Sequence, residues 1–368
     1  MRRHIVLVLC LVALAACAPR GALYLVPEPG PGAVERTVFI GTTRTQDPGG
    51  QFSNLRSEAL TLGSYTVAIP PGRAAGQIAY PYGAPDPAED FVTTDKQLFD
   101  RPSAFTAALF RNLRTRPPGE RTAVIFVHGF NTNFAEGLYR SAQLAHDFGI
   151  GGVTLHYSWP SAGSPFGYAH DRDSALFART GFDDFLDAVI TAKPEQLLIV
   201  AHSMGGLLTM ETLRQMALKA PGRVGREIDG LVLLSPDIDV EVFRSQVRDI
   251  GRMPRNVLVF TSQRDRALLL SARLSGQRER LGNIESLEDL ADLEVTVLDV
   301  TGFSRGLGHF TAGSSPDLIR LLRGVPDLER AFNSGAPGRP GLLPGTVITV
   351  RNATEIILSP LTALASTP

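Results

Sequence analysis

The sequence predicts an α/β fold in which a mostly parallel central sheet is flanked by helices. Short runs rich in apolar and β-branched residues recur along the chain, and segments with helical spacing, such as Phe182–Val189, separate them. The runs are continuous rather than alternating, which is typical of strands buried on both faces of a parallel sheet. The predicted core strands lie near residues 124–127, 153–158, 197–201, 230–234, 256–261 and 294–300. This βαβ rhythm favours a parallel sheet with covering helices.

Weaker signals define the elements outside this core. A helix is predicted around residues 103–114, and another follows Pro316 as far as about Arg323. Gly72–Glu89 is rich in Pro, Gly and Ala and predicts irregular structure. Two leading strands are predicted at Val38–Thr42 and Ser64–Ile69.

The most informative stretch is Ala201-His202-Ser203-Met204-Gly205. It follows the apolar run Leu197–Val200 and precedes a helical pattern that starts at Gly206. The stretch matches the G-x-S-x-G pattern, with Ala201 in the first glycine position, and a sharp turn from strand to helix exposes the serine hydroxyl above the sheet edge. The sequence therefore predicts that Ser203 is a nucleophile. The alternative is a serine that only caps the helix.

A second motif lies about 75 residues upstream. The buried-strand run Ala123–Val127 ends in His128-Gly129-Phe130-Asn131. In α/β-hydrolases the loop after this strand supplies one backbone amide of the oxyanion hole, and the residue after the nucleophile supplies the other. The predicted donors are the amides of Phe130 and Met204. His128 is more consistent with bracing the loop than with acting as the base, because the order of triad residues along the chain is Ser, acid, His.

The expected acid and histidine follow in that order. Asp265 stands in the turn after the predicted strand Asn256–Thr261, and His309 follows the last predicted strand. Both can reach the sheet edge where Ser203 is expected. His309 would act as the general base, and Asp265 would fix its tautomer. Asp237 and Asp239 remain alternative acids, since they follow the preceding strand, although Asp237 also suits a helix N-cap. Asp265 would otherwise be a surface partner of a neighbouring arginine.

Several further segments match one family closely. The chain resembles the uncharacterised bacterial α/β-hydrolases of the DUF900 type, of the esterase/lipase superfamily, from about Val38 to Pro316. The resemblance implies the α/β-hydrolase fold and serine-hydrolase machinery, but no particular substrate. Trp159, the only tryptophan, would either line the acyl pocket or pack in the core. The matching segments are Val38–Arg44, Val127–Asn131, Tyr157–Ser161, Ala201–Gly205, Ser235–Asp239 and Arg264–Leu268.

The N-terminus has the parts of an export signal. Met1–His4 is basic, and Ile5–Ala13 is apolar but too short to span a bilayer. Leu14-Ala15-Ala16-Cys17 resembles the lipobox of bacterial lipoproteins, which implies cleavage before Cys17 and acylation of that residue. Several acyl chains would anchor the protein stably. Ala18 after the cysteine resembles the pattern of outer-membrane sorting, so we expect a lipid-anchored protein of the bacterial cell envelope. If Cys17 is incidental, the segment is an ordinary secretory peptide.

Composition excludes several other classes. The net charge is −1, and no basic face stands out, so nucleic acid is not an expected partner. The two cysteines are Cys10 and Cys17, so no disulfide is expected after processing. No Walker A, HExxH or paired-cysteine motif is present, and neither a cofactor nor a metal is expected.

These observations predict an anchored serine hydrolase that cleaves a small-molecule ester or related acyl bond. An acyltransferase using the same triad and a non-catalytic envelope protein are the alternatives. The short segment between Ser235 and Asn256 favours a small or soluble substrate. The sequence leaves open whether the apolar tail packs on the body, touches a membrane or stays loose. The predicted organisation is a signal peptide (1–16), a tether (17–33), the hydrolase domain (34–330) and a linker with the apolar tail (331–368).

Overall fold

The computed structural model describes residues 20–81, 83–276, 279–303, 309–323, 346–352 and 355–360. The predicted signal peptide, Cys17 and most of the predicted C-terminal linker lie outside these residues. Within the described part of the chain, no helix combines the length and hydrophobicity needed to cross a membrane.

The described elements alternate along the chain much as the sequence predicts. The strands are β1 (Val34–Gln46), β2 (Phe52–Ile69), β3 (Val92–Phe99), β4 (Thr122–Val127), β5 (Val153–Ser158), β6 (Gln196–His202), β7 (Gly230–Leu234), β8 (Asn256–Thr261), β9 (Thr296–Asp299), β10 (Thr346–Asn352) and β11 (Glu355–Pro360). The helices are α1 (Pro102–Arg114), α2 (Phe134–Asp147), α3 (Tyr168–Phe177), α4 (Arg179–Thr191), α5 (Met204–Lys219), α6 (Val224–Glu227), α7 (Val240–Ile250), α8 (Arg266–Leu274), α9 (Thr311–Ser314) and α10 (Pro316–Arg323).

The described strands form one mostly parallel sheet, which confirms the predicted fold class. Their order is β11-β10-β9-β8-β7-β6-β4-β5-β1-β2-β3. Strands β1 and β4–β10 run parallel, whereas β2, β3 and β11 pair antiparallel at the two ends. Since β6 lies centrally, its carboxyl end and the ends of its neighbours converge at one edge of the sheet, where ligands bind in open α/β sheets.

Alternate residues of the central strands bury into two separate cores. In β4, Ile125 packs on the side of α1, α4 and α5, whereas Phe126 packs on the side of α2 and α10. All six residues of β4 are buried, which explains why the sequence shows a continuous apolar run there. The two layers thus cover both faces of the sheet beneath the edge that carries the Ser203 turn and the His128–Asn131 loop.

The antiparallel end of the sheet is larger than the sequence predicts. Strands β1 and β2 extend beyond the predicted Val38–Thr42 and Ser64–Ile69, and β3 was not predicted at all. Within the extra part of β2, Phe52–Gly63, the stretch Asn54–Ala59 is mostly exposed, and β3 alternates polar residues at the sheet edge. Without a buried apolar face, such strands leave little periodic signal.

Residues 20–26, which the sequence assigns to a tether, lie on the domain. The amide of Val26 donates to the carbonyl of Thr93 at 2.9 Å, and the amide of Thr93 donates to the carbonyl of Tyr24 at 2.9 Å. Thr93 belongs to the edge strand β3, whose outer backbone groups are available for pairing. The packed chain therefore begins ahead of the predicted boundary at Val34.

The C-terminal tail also joins the sheet. Strand β10 pairs parallel with β9, so that Val347 lies opposite Val297, and β11 pairs antiparallel with β10. The free edge of β9 provides the hydrogen-bonding groups that this pairing uses. The sheet consequently extends past the predicted domain end at residue 330. Of the three arrangements that the sequence leaves open for the apolar tail, its described residues adopt packing on the body.

Candidate active site

Ser203 sits in a sharp turn between β6 and α5, as the motif predicts. Its backbone has φ 53° and ψ −123°, a region that non-glycine residues rarely adopt. Backbone hydrogen bonds hold it there: its amide donates to Leu234 O at 3.0 Å, and its carbonyl accepts from the amides of Gly206 at 2.9 Å and Asp237 at 3.2 Å. The surrounding backbone thus fixes the serine in a strained conformation.

Two glycines let the loop after β4 approach this turn. A Cβ on Gly129 would lie 2.8 Å from the Cβ of Ser203, and a Cβ on Gly205 would lie 2.8 Å from the carbonyl oxygen of Val127. Both separations are shorter than atoms tolerate, so both positions require glycine. Phe130 follows Gly129 in the chain, and Met204 follows Ser203. The amides of Phe130 and Met204 have no acceptor among the described residues. These amides are therefore available to an oxygen atom bound beside Ser203.

The structure brings Ser203, His309 and Asp265 together in a hydrogen-bonded series. His309 Nε2 lies 2.8 Å from Ser203 Oγ. On the other side of the ring, Nδ1 lies 2.9 Å from Oδ2 and 3.1 Å from Oδ1 of Asp265. Asp265 is fully buried, whereas the His309 side chain keeps 21% of its surface exposed. A substrate can thus reach the imidazole while the carboxylate stays away from water.

Asp265 is held in position because it is the N-cap of α8. Its Oδ1 accepts from the amide of Leu268 at 3.0 Å, and its own amide donates to Ser262 O at 3.1 Å. The cap and the turn orient the carboxylate before it meets His309. The alternative of a surface pair with a neighbouring arginine is inconsistent with this burial.

The other candidate acids are engaged elsewhere. Asp237 is buried, accepts from the hydroxyls of Ser271 at 2.6 Å and Tyr168 at 3.0 Å, and forms an ion pair with Arg280 at 3.3 Å. Asp239 caps α7 by accepting from the amide of Val242 at 3.0 Å. The helix cap that the sequence suggested for Asp237 therefore belongs to Asp239.

His128 lies behind the loop rather than beside the serine. Its Nδ1 lies 2.9 Å from Gly129 O, and its ring stacks on Trp159 at 4.9 Å between centroids. Burial keeps the pKa of His128 well below its ordinary value, so the ring is neutral. Trp159 is fully buried and donates from Nε1 to His128 O at 2.7 Å. Trp159 therefore packs beneath the loop, which is the second of the two roles that the sequence allows.

Arg44 supports the same loop from within the protein, a role the sequence did not suggest. The guanidinium is buried and donates to Ser158 Oγ at 2.9 Å and to the carbonyls of Thr132 at 2.9 Å and of Ser53 and Ser161 at 3.1 Å. Burial lowers the pKa of Arg44 to about 9, so it still carries its charge at neutral pH. One side chain thus fastens the loops after β4 and β5 to β1 and β2.

Two residues of α3 complete the support of Phe130. Asp171 is buried and accepts from the amides of Asn131 at 3.1 Å and Ala162 at 2.6 Å. Tyr168 places its ring edge-on against Phe130, with centroids 5.6 Å apart, while its hydroxyl contacts Asp237. Asn131 itself has φ 56°, so the loop turns sharply just after Phe130. These contacts fix the direction of the Phe130 backbone.

His202 is a further neighbour of the site. Its ring centroid lies 4.8 Å from that of His309, and its Nε2 donates to His309 O at 3.3 Å. Burial, with a smaller contribution from His309, keeps the pKa of His202 well below its ordinary value. A neutral ring beside His309 avoids repulsion when His309 takes a proton. The sequence gives one indication of this role, which is that His202 directly precedes the predicted nucleophile Ser203.

Comparison with known proteins places the chain in one family. A family model described as an alpha/beta hydrolase of unknown function (DUF900) matches residues 102–325, which exceeds half of the chain. No curated protein sequence is similar enough to count as a match.

Solved structures with low similarity include several esterases and lipases. An esterase of Pyrococcus furiosus is 12% identical, with 77% of this chain and 87% of that chain covered and a TM-score of 0.30. Carboxyl esterase 2 of Tuber melanosporum is 10% identical, with 87% and 85% covered and a TM-score of 0.28. Lipase B of Aspergillus fumigatus is 14% identical with a TM-score of 0.28, and the match covers 39% of this chain and 38% of the lipase.

Proposed function

Because this chain belongs to the DUF900 family of α/β-hydrolases, we propose that it is a serine hydrolase that cleaves carboxylic ester bonds. The observation that carries the proposal is the 2.8 Å separation of Ser203 Oγ and His309 Nε2, with the carboxylate of Asp265 behind the imidazole. A nucleophile, a base and an orienting acid at these distances form the arrangement used for acyl transfer through a covalent intermediate.

In the first half-reaction, Ser203 Oγ attacks the ester carbonyl carbon while His309 Nε2 takes the hydroxyl proton. Asp265 accepts a hydrogen bond from Nδ1 and stabilises the imidazolium. The amides of Phe130 and Met204 donate to the oxyanion, and one such donor typically contributes about 3 kcal/mol to lowering the barrier. The carbon–oxygen bond to the leaving alcohol then breaks, and the alcohol takes the proton from His309.

The second half-reaction regenerates the enzyme. Water attacks the acyl-enzyme carbonyl and gives a proton to His309, the acyl–Oγ bond breaks, and Ser203 regains its proton from the imidazolium. The acid leaves, and no group other than these side chains and amides is required. The buried and neutral state of His202 suits this cycle, because His309 is charged in each tetrahedral intermediate.

The N-terminal sequence supports a cellular setting for this reaction. We propose that Cys17 is acylated after removal of residues 1–16 and anchors the enzyme in the cell envelope of a bacterium, on the periplasmic side of the outer membrane. The substrate is then a small-molecule acyl ester met outside the cytoplasm.

Active-site labelling tests the proposed function. The wild-type chain should hydrolyse short-chain aryl esters and react with a fluorophosphonate probe, and Ser203→Ala should do neither. Equal urea midpoints for the two proteins would show that the variant is folded. Labelling that persists in Ser203→Ala would contradict the assignment of the nucleophile.

A further inference from the structure

The first described residues of the chain are fixed beside the candidate active site. The guanidinium of Arg20 donates to Oδ1 of Asn131 at 2.7 Å and to its carbonyl at 2.9 Å, and it pairs with Glu136. Gly21 continues the contact, since its carbonyl accepts from the Asn133 amide group at 2.8 Å. Asn131 directly follows Phe130, so the N-terminal segment lies on the loop that carries one proposed oxyanion donor.

This contact limits the distance between Cys17 and the site. Two residues lie between Cys17 and Arg20, and the three extended steps from one to the other span at most about 11 Å. If Cys17 carries the lipid anchor, the edge of the protein beside Asn131 must lie close to the membrane surface. The site is then held near the bilayer instead of being displaced from it by a flexible spacer.

The same edge exposes a large aromatic side chain. Phe166 is 90% exposed in the loop between β5 and α3. Gly163 of this loop lies against Arg20, since a Cβ there would be 3.5 Å from the guanidinium. Two residues after Phe166, Tyr168 packs on Phe130. Phe166 therefore belongs to a loop that contacts Arg20 at Gly163 and leads to Tyr168 beside Phe130.

Helix α8 adds two exposed leucines to this edge. Leu270 and Leu274 are 58% and 63% exposed and lie one helical turn apart on the same face. Ser271, between them, contacts the Tyr168 hydroxyl at 2.7 Å. Since Asp265 is the N-cap of α8, Leu270 and Leu274 stand about one and a half and two and a half helical turns from the acid.

The charges on α8 suit a lipid surface. Arg266 and Arg273 are exposed on the helix, and Arg266–Leu274 contains no acidic residue. Apolar side chains flanked by arginines are typical of helices that lie in the interface of an anionic bilayer. We name Phe166, Leu270, Leu274, Arg266 and Arg273 the rim surface.

We propose that the rim surface rests on an anionic lipid bilayer and that the ester cleaved by Ser203 belongs to a lipid taken from that bilayer. The choice of substrate rests on the proposed function, whereas the contact with lipid does not. The short segment between β7 and β8 favours a soluble substrate by its length, whereas the exposed side chains of the rim surface favour a lipid.

Vesicle flotation tests the contact with lipid. The full chain carrying Cys17→Ser, which removes the anchor, is mixed with vesicles of phosphatidylglycerol and phosphatidylcholine or of phosphatidylcholine alone. We expect binding to the anionic vesicles that weakens with salt. Adding Leu274→Ser should weaken it measurably, and the triple variant Phe166→Ser/Leu270→Ser/Leu274→Ser should weaken it at least about tenfold.

Leu218→Ser is the matched control, because Leu218 is an equally exposed leucine, at 62%, near the far end of α5. This variant should bind vesicles within about twofold of its parent, because a leucine outside the rim surface does not contribute to lipid binding. Equal binding by the parent, the triple variant and the control, or no binding by the parent, would overturn the proposed rim surface.

The substrate is tested by the ratio of two rates in the same proteins. One rate is hydrolysis of a diacylglycerol embedded in anionic vesicles, and the other is hydrolysis of water-soluble p-nitrophenyl butyrate. The triple variant should lower this ratio at least about tenfold, and Leu218→Ser should preserve it. A preserved ratio in the triple variant would overturn the lipid substrate. If the parent hydrolyses neither ester and Ser203 is not labelled, the proposed function fails, while flotation still decides the contact with lipid.

Discussion

Both carboxylate oxygens of Asp265 contact Nδ1 of His309, at 2.9 and 3.1 Å, from a fully buried position at the start of α8. The carboxylate of Asp237, which follows the neighbouring strand, instead meets two hydroxyls and a guanidinium. Two aspartates that the sequence offers for the same role thus have different partners, and mutation can separate their contributions.

Replacement of these aspartates should give opposite effects on rate and stability. Asp265→Asn should lower kcat by up to about 10⁴-fold, because an amide no longer fixes the tautomer or stabilises the imidazolium. Asp237→Asn should lower kcat far less but destabilise the fold by about 3 kcal/mol, since it removes the negative charge from a buried ion pair with Arg280. Ester hydrolysis and urea denaturation measure the two effects. A near-wild-type rate for Asp265→Asn would show that another residue is the acid.

Adjacent glycines in α5 should tolerate a methyl group differently. Gly205→Ala places Cβ 2.8 Å from the backbone carbonyl of Val127, so the turn and the β4 loop must separate. The rate of fluorophosphonate labelling should fall by at least about tenfold, as expected when an oxyanion donor is displaced. Gly206→Ala is the control, because its Cβ would meet the side chain of Pro236 at 3.3 Å, which a small shift relieves. Equal labelling of both variants would contradict a tight contact at Gly205.

Arg44 should not be replaceable by lysine. An ammonium group cannot reach the separate acceptors on Ser158, Thr132 and Ser161, and unpaired buried carbonyls cost about 1–3 kcal/mol each. Arg44→Lys should therefore lower the free energy of unfolding by a few kcal/mol, on the order of two lost hydrogen bonds, and slow the labelling of Ser203.

The control for this variant is Arg56→Lys, because Arg56 lies at the exposed end of β2 and contacts Ser174 Oγ and His170 O. Urea denaturation and the labelling rate should both stay close to wild type in that protein. An Arg44→Lys chain as stable and as reactive as the Arg56→Lys chain would exclude a bracing role for Arg44.

Buried histidines should make the fold sensitive to mild acid. Burial lowers the pKa of His156 to about 3, whereas the unfolded chain binds a proton near pH 6.5. The unfolded state therefore binds more protons between these values, so stability is complete above about pH 6.5 and falls as the pH decreases, by up to about 1.4 kcal/mol per pH unit for each such group.

His156→Asn tests this dependence, because the amide replaces the Nδ1 donor to Phe126 O but does not titrate. The unfolding free energy of the variant should change less between pH 7 and pH 5 than that of the wild type. The difference in slope is the informative quantity, since the variant also loses packing. Parallel slopes would show that His156 does not contribute to the acid sensitivity.

Much of the fold could be predicted because its core strands are continuous apolar runs. The order of Ser203, Asp265 and His309 was readable from motifs at strand ends, and the structure places these three side chains in contact. Strand β3 left no such signal, because its polar residues alternate at an exposed edge. Residues 20–26 resemble a tether in sequence for a similar reason, since backbone pairing with β3 needs no particular side chains.

The supporting residues of the site could not be found from the sequence. Arg44 stands in a polar segment, and its acceptors Thr132 and Ser161 are 88 and 117 residues away. Tyr168 and Asp171 belong to a helix with little amphipathic pattern, so nothing local distinguishes them. Long-range hydrogen bonds of this kind depend on which loops the sheet edge brings together, and no local pattern encodes that.

Strand β10 covers the side of β9 that would otherwise end the parallel sheet, and β9 leads toward the segment that carries His309. A chain shortened before Thr346 would present the backbone of β9 to solvent and to other molecules, which invites strand-to-strand association. Shortening this protein ahead of Thr346 would therefore leave an unpaired strand edge at which another chain can add a strand.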